Sequence, residues 1–130
     1  MIVVDASLVV EALTVPHSPA SDALRHSEGA ISPAHLDAEV GHALRGLLRG
    51  GLLDANEAQE CLDDVAASEI VRFPLVPLVH RAFDLRENMT FYDALYVALA
   101  EFHGLTLVTT DSKMARVPSL RCDVEVIALE

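Results

Sequence analysis

The 130 residues are enough to bury one hydrophobic core without disulfide or metal support. With 52% hydrophobic and 22% charged residues, we expect a single folded domain over residues 1–130. We also expect it to be cytoplasmic, because no apolar run reaches membrane-spanning length, no basic leader opens the sequence, and the two cysteines have no metal or redox spacing. The net charge of -11 argues against non-specific binding of a polyanion and favours a basic partner, unless bound cations cancel part of that charge.

The first strand is predicted at Ile2–Val4, where three apolar residues open the chain. Asp5 follows this strand directly, and it is either just the N-cap of a helix over Leu8–Leu13 or part of a site. The residues after Pro16 predict a second short helix over His17–Ser27. A small strand or an extended link is predicted at Gly29–Ser32.

Ser32 and Pro33 predict the start of a long helix, with proline at the first helical position and Gly50–Gly51 at its end. Glu39 would lie in the second turn of this helix, at the border of its apolar face. Together with His35 and His42 it forms a stripe that a transition metal can bind, although histidines seven residues apart on a helix are more often ordinary boundary residues.

The middle of the chain carries no predicted chemistry. Asp54 and Glu57 have the spacing of a capping box, and an amphipathic helix is predicted from Glu57 to Ser68. A strand is predicted at Ile70–Phe73, although the two prolines that follow leave the segment 70–78 poorly determined. A further helix is predicted over Leu78–Arg86.

The stretch from Thr90 to Asp111 is the part around which the chain is organised. Thr90 and Gly104 predict the two ends of a helix over Phe91–His103 that is apolar on nearly all sides and therefore buried. A charge on such a helix is costly unless it caps, pairs or binds a cation. Asp93 has the position to complete a capping box with Thr90, which is the simplest explanation for it.

The strand predicted at Leu105–Thr109 turns back along this helix. About 13 helical residues and five or six strand residues each span roughly 19 Å, so the chain returns to the edge where the helix began. Asp93 and Asp111 therefore lie at the same edge. A short helical turn is predicted at Ser112–Ala115, and a last strand at Val124, Val126 and Leu129.

Strands that alternate with helices predict a three-layer α/β/α fold with a mostly parallel central sheet and a site at the carboxyl ends of the strands. We expect four acids to converge there: Asp5, Glu39, Asp93 and Asp111. Proteins tolerate such repulsion when a hard cation binds or when some of the groups stay protonated, and oxygen ligands favour Mg²⁺ or Mn²⁺. A metal there would polarise a phosphate and activate water, which is the chemistry of phosphodiester hydrolysis. The spacing of the acids does not decide whether one metal ion binds or two.

Four segments, VVDAS, SPAHLDAEVGHAL, FYDALYVALA and LVTTD, resemble the acidic signatures of PIN-domain ribonucleases, and specifically of VapC-type toxins of toxin–antitoxin systems. Because they occur in this order over nearly all of the chain, the resemblance is specific. It implies an Mg²⁺- or Mn²⁺-dependent endoribonuclease that leaves 5′-phosphate ends, a cognate antitoxin with a basic segment, and a homodimer. It also implies the catalytic and metal-binding residues, Asp5, Glu39, Asp93 and Asp111, with Ser7 and Thr109 as polar helpers.

Two other classes of protein would also have acidic residues at this edge of the sheet. A phospho-receiver signalling domain needs an acid pair after the first strand and a lysine after a late strand, whereas here Asp5 is single and Lys113 comes only two residues after Asp111. A small-molecule phosphatase with an aspartyl nucleophile needs a second aspartate close to Asp5. Basic residues are scattered and more often solubilising than phosphate-binding; the candidates are Arg25, Arg45, Arg49, Lys113 and Arg116.

Overall fold

The computed structural model describes residues 1–129 and contains a five-stranded sheet. The strands are Ile2–Val4 (β1), Ala30–Pro33 (β2), Val71–Phe73 (β3), Leu107–Thr109 (β4) and Val124–Val126 (β5). Their order is β3-β2-β1-β4-β5, and all four neighbouring pairs run parallel. The predicted parallel sheet is therefore confirmed, and β1 lies at its centre.

Six α-helices cover the two faces of the sheet. They are Ala6–Thr14 (α1), Pro19–His26 (α2), Leu36–Arg49 (α3), Ala55–Ala67 (α4), Val79–Asp84 (α5) and Phe91–His103 (α6), with 3₁₀ turns at Val76–Leu78 and Ser112–Arg116. Right-handed crossovers place α1 to α4 on one face and α5 and α6 on the other, because the chain reverses its direction across the sheet after β3. Within residues 1–129, no helix has the length and apolar character needed to cross a membrane.

Helix α6 packs against the middle of the sheet, as its sequence predicts. Residues Ala94 to Ala100 are all buried, and the helix contacts β1, β2 and β4. Thr90 caps its start by accepting a bond from the Asp93 amide at 3.1 Å, and Gly104 ends it at φ 65° in the left-handed conformation. The prediction of burial is wrong for the last turn, where Phe102 is 69% exposed.

The prediction that the long helix opens at Pro33 is wrong. Ser32 and Pro33 are instead the last two residues of β2, where they pair with β3 and are buried. Strand β2 has by then run past the end of β1, so the missing proline amide costs no sheet bond on that side. Helix α3 starts at Leu36, which moves Glu39 from the second helical turn to the first.

Other boundaries differ from prediction by a few residues. Helix α2 starts at Pro19 because His17 adopts a φ of 63°, and Ser18 then caps the helix. The strand expected near Pro74 exists as β3, and the helix predicted over Leu78–Arg86 is shorter, confined to α5 after a 3₁₀ turn. The capping box between Asp54 and Glu57 is formed, with bonds of 2.8 and 3.0 Å.

Candidate active site

An open cavity of about 380 Å³ lies at the carboxyl ends of β1 and β4. Asp5 and Asp111 reach it from the ends of these strands, Glu39 from the first turn of α3, and Asp93 from the first turn of α6. The topology explains this convergence, since each helix in a parallel sheet begins where the preceding strand ends. His42 and Tyr96 also line the cavity.

Asp5 is the most constrained of the four acids. It is 5% exposed and caps α1, because its Oδ1 accepts bonds from the Leu8 amide at 3.0 Å and the Ser7 hydroxyl at 2.7 Å. The Thr109 hydroxyl donates to its Oδ2. Burial raises the pKa of Asp5, these three bonds oppose that rise, and the charge of Asp93 adds to it. Asp5 is thus both the helix cap and part of the acidic cavity.

The same two hydroxyls connect the ends of β1 and β4. Ser7 Oγ accepts a bond from the Thr110 amide at 3.1 Å, and Thr109 Oγ1 accepts one from the Asp111 amide at 3.0 Å. Each hydroxyl therefore gives its single proton to Asp5 and receives an amide proton from the β4 end. Both residues were expected near the site, and their role here is to fix the position of Asp5.

Glu39 is oriented by a neighbour that sequence reasoning missed. The Tyr96 hydroxyl donates to Glu39 Oε1 at 2.6 Å, while the tyrosine ring is 1% exposed. Burial, together with this bond, raises the pKa of Tyr96, so the hydroxyl keeps its proton and acts as a donor. The signal was present in the sequence, because Tyr96 lies three residues after Asp93 and therefore on the same side of α6.

The histidine stripe on α3 does not form a metal site. His35 Nε2 lies 2.9 Å from the Tyr92 carbonyl oxygen, which can only accept, so this nitrogen carries the proton and has no lone pair for a ligand bond. The His35 ring packs against Tyr96 with centroids 4.6 Å apart. His42 is exposed, about two helical turns after His35. His35 therefore acts as a packing residue between α3 and α6.

Asp93 does not complete the predicted capping box. Within residues 1–129 no bond returns from its carboxylate to the Thr90 amide, although its own amide is capped by the Thr90 hydroxyl. Burial raises the pKa of Asp93, the charges of Glu39 and Asp111 add to this rise, and Thr90 and Lys113 oppose it. The carboxylate thus lies in the field of two other acids, which a capping role alone does not require.

The four acids of the cavity offer only oxygen ligands, the type that Mg²⁺ and Mn²⁺ prefer. As the side chains stand, no three histidine, cysteine or acidic groups among residues 1–129 come together closely enough to hold one ion. Both Asp5 oxygens and one Glu39 oxygen are held by hydroxyl donors instead. The residue types fit a hard cation, and its charge would offset the repulsion among these carboxylates.

The fold and the cavity define a parallel α/β protein with an acidic site at the carboxyl edge of its sheet. The model of the PIN domain matches residues 2–120. The chain is 40% identical over 128 residues to Ribonuclease VapC1 of Mycobacterium tuberculosis (strain CDC 1551 / Oshkosh), with 96% of each chain covered. It therefore belongs to the PIN-domain family and, within it, to the VapC ribonucleases.

Solved structures agree on the fold. PAE2754 from Pyrobaculum aerophilum superposes with a TM-score of 0.68 at 27% identity, covering 95% of this chain and 82% of that one. The structure of VapBC2 from Rickettsia felis bound to a DNA fragment from their promoter gives a TM-score of 0.72 at 17% identity, with 98% and 99% covered. The resemblance drawn from the four acidic segments is confirmed, and the phospho-receiver and phosphatase alternatives lose their support.

Proposed function

We propose that this protein is a metal-dependent endoribonuclease that acts in the cytoplasm as the toxin of a toxin–antitoxin pair. The observation that carries the proposal is the meeting of Asp5, Glu39, Asp93 and Asp111 at one cavity. The similarity to Ribonuclease VapC1 at 40% identity supports RNA as the substrate class. The four acids are proposed as both the catalytic and the metal-binding residues.

The surroundings of the four acids suggest three different roles in this proposal. Asp5 is held rigid by Ser7 and Thr109, so one carboxylate enters every catalytic cycle already in position. The Tyr96 bond leaves the second oxygen of Glu39 available to the cavity. Asp93 and Asp111 complete the negative field that draws in Mg²⁺ or Mn²⁺. The bound cation would supply Lewis-acid polarisation of a phosphate and a lower pKa for a water molecule.

The proposed antitoxin places an arginine or lysine into the acidic cavity. A guanidinium makes charge-assisted, bidentate bonds to carboxylates and can occupy the place of the cation, and the net charge of -11 favours such a basic segment. The association should weaken as salt rises, because exposed charges are screened. A natural inhibitor that inserts an acidic or purely apolar segment would contradict this proposal.

A homodimer is also proposed. Large apolar side chains remain exposed on the isolated chain, among them Leu52 at 74%, Val76 at 78% and Phe102 at 69%. Two-fold homodimers are the commonest oligomers, and in such a dimer some of these side chains would be covered by the second copy. Sedimentation at micromolar concentration should give twice the 14.0 kDa chain mass, and a species of only 14.0 kDa would exclude the dimer.

The central experiment incubates the purified protein with single-stranded RNA in Mn²⁺, in EDTA, and in Mn²⁺ with Asp5→Asn. We expect cleavage with 5′-phosphate and 3′-hydroxyl ends in the first mixture and none in the others. Asp64→Asn is the matched control, since Asp64 is exposed on α4 and does not line this cavity. Phosphorylation by acetyl phosphate without RNA cleavage would instead favour a phospho-receiver.

A further inference from the structure

A second cavity, of about 440 Å³, adjoins the acidic one. It is lined by His35, Ala38, Glu39, His42 and Tyr92. Glu39 and His42 line both cavities, so the two share a wall. A ligand that reaches the carboxylates can therefore continue into the second cavity without leaving the protein surface.

Tyr92 gives this second cavity an exposed aromatic side chain on a fixed backbone. It directly precedes Asp93 and is 62% exposed. Its carbonyl oxygen accepts the bond from His35, and the two rings are stacked at 6.3 Å with an interplanar angle of 29°. His35 is itself 8% exposed and packs on Tyr96, so the Tyr92 ring is supported by a buried side chain. Aromatic faces of this kind stack unpaired bases.

The exposed surface of α3 leads away from this cavity with positive charge. The charge comes from Arg45 and Arg49, which are exposed and follow exposed His42 at spacings of three and four residues along one side of the helix. In residues 1–129 neither arginine forms an ion pair, whereas exposed Asp37 on the same helix is neutralised by Arg72 at 2.8 Å. A cationic track beside an acidic site, in a chain of net charge -11, fits a phosphate backbone.

We propose that the second cavity receives one base of single-stranded RNA, stacked on Tyr92, from a nucleotide next to the cleaved phosphate, and that Arg45 and Arg49 contact the following phosphates. This inference rests on the proposed ribonuclease function. The shared wall of the two cavities indicates the path of the strand, and the exposed Tyr92 ring indicates that a base occupies the second cavity. Tyr92 would then be a positioning and specificity residue rather than a catalytic one.

The test measures KM and kcat on a single-stranded RNA in Mn²⁺ for wild type, Tyr92→Phe and Tyr92→Leu. Losing one base stack should raise KM by about 5- to 150-fold in Tyr92→Leu with kcat changed far less, while Tyr92→Phe stays within about twofold. Phe91→Leu is the matched control, because Phe91 is the adjacent exposed aromatic residue and lines neither cavity. Equal melting temperatures for all variants show that folding is not the cause.

The proposed phosphate contacts of Arg45 and Arg49 can be tested separately, through the salt dependence of KM. Arg45→Gln and Arg49→Gln should each reduce the slope of log KM against log salt by about 0.7, the value for one single-strand phosphate contact. Arg86→Gln should leave the slope unchanged, since Arg86 follows α5, lies over the Phe83 ring and lines neither cavity. A protein that does not cut RNA at all refutes the proposed function.

The inference alone is refuted if wild type cuts RNA and Tyr92→Leu keeps its KM. It is equally refuted if Tyr92→Leu keeps its KM for RNA but binds the antitoxin more weakly, because the cavity would then hold a protein side chain.

Discussion

Replacing Asp93 by asparagine separates a helix cap from a member of an acidic cluster. The cap itself survives the change, since the bond to the Thr90 hydroxyl comes from the backbone amide of residue 93. What disappears is one negative charge that Glu39 and Asp111 repel. We therefore expect the metal-free variant to be at least as stable as the wild type. An ordinary helix cap predicts no change in stability, metal response or activity.

The sign of the pH dependence follows from the raised pKa of Asp93. An acid whose pKa is higher in the folded protein than in the unfolded chain makes the fold less stable as pH rises from 3.8 to the folded value. Above that pH interval the loss of folding stability stays constant. The stability advantage of Asp93→Asn over wild type should therefore grow across this interval and then stay level, in the absence of metal.

The metal response gives the magnitude. A ligand at a hundredfold excess over its Kd stabilises the native state by about 2.7 kcal/mol. With an unfolding entropy of about 2.1 cal/mol/K per residue, a chain of 130 residues should gain about 10 °C in Tm with Mn²⁺. Asp93→Asn should gain much less, and RNA cleavage should fall by about a hundredfold or more.

Thermal melts with and without Mn²⁺, together with single-turnover RNA cleavage, measure both effects, with Asp64→Asn as the charge-matched control on an exposed helix face. A variant that still cuts RNA near the wild-type rate, or whose melt still responds fully to Mn²⁺, would remove Asp93 from the site.

Three further changes test the surroundings of the cluster. Tyr96→Phe removes the donor to Glu39 but keeps the ring, so the Mn²⁺ concentration for half-maximal cleavage should rise about 10- to 100-fold; an unchanged titration would contradict this. Thr109→Val leaves Asp5 Oδ2 without its donor and should cost about 1–3 kcal/mol in denaturant unfolding, with cleavage reduced as well. Arg81→Met should cost about 3 kcal/mol with cleavage per folded molecule unchanged, because Arg81 holds the buried Glu101 carboxylate far from the cavity.

The Glu101 pair also sets an acid limit on stability. Burial acts to raise the pKa of Glu101, but the Arg81 guanidinium and the Arg121 amide outweigh it and hold the pKa below 4.5. The pair therefore stabilises the fold above pH 4.5 and loses this contribution as pH falls through the lowered value. Acid unfolding of Arg81→Met should be correspondingly less steep in that range.

The sequence predicted the parts of the fold that depend on periodicity and local capping. Helix α6, its Thr90 cap and the end at Gly104 follow from residue pattern alone, and so does the parallel sheet. The prediction from sequence failed at Ser32 and Pro33, because this dipeptide suits the start of a helix and the end of a strand equally well. Pairing with β3, a strand about 40 residues away, decided between them. Long-range pairing of this kind has no local signal.

The site divides in the same way. The convergence of the four acids was predictable, because a parallel sheet brings the ends of its strands to one edge. The contacts that orient them were not, since the Tyr96 bond to Glu39 and the Thr109 bond to Asp5 span 57 and 104 residues. Sequence position thus specifies which groups meet at the edge, and the packing of α6 against the sheet specifies how each one points.

This division explains why the cavity can be strongly acidic without unfolding the domain. Asp5 is the most deeply buried of the four acids, yet three donors, among them the Leu8 amide that it caps on α1, offset part of that burial cost. Asp93 and Glu39 lie on helices that are anchored elsewhere, α6 by its buried middle and α3 by Leu36, Val40 and Leu44. The repulsion therefore acts on side chains that the hydrophobic core already holds in place. In the proposed function, a bound cation would offset this repulsion at the point where phosphate chemistry requires positive charge.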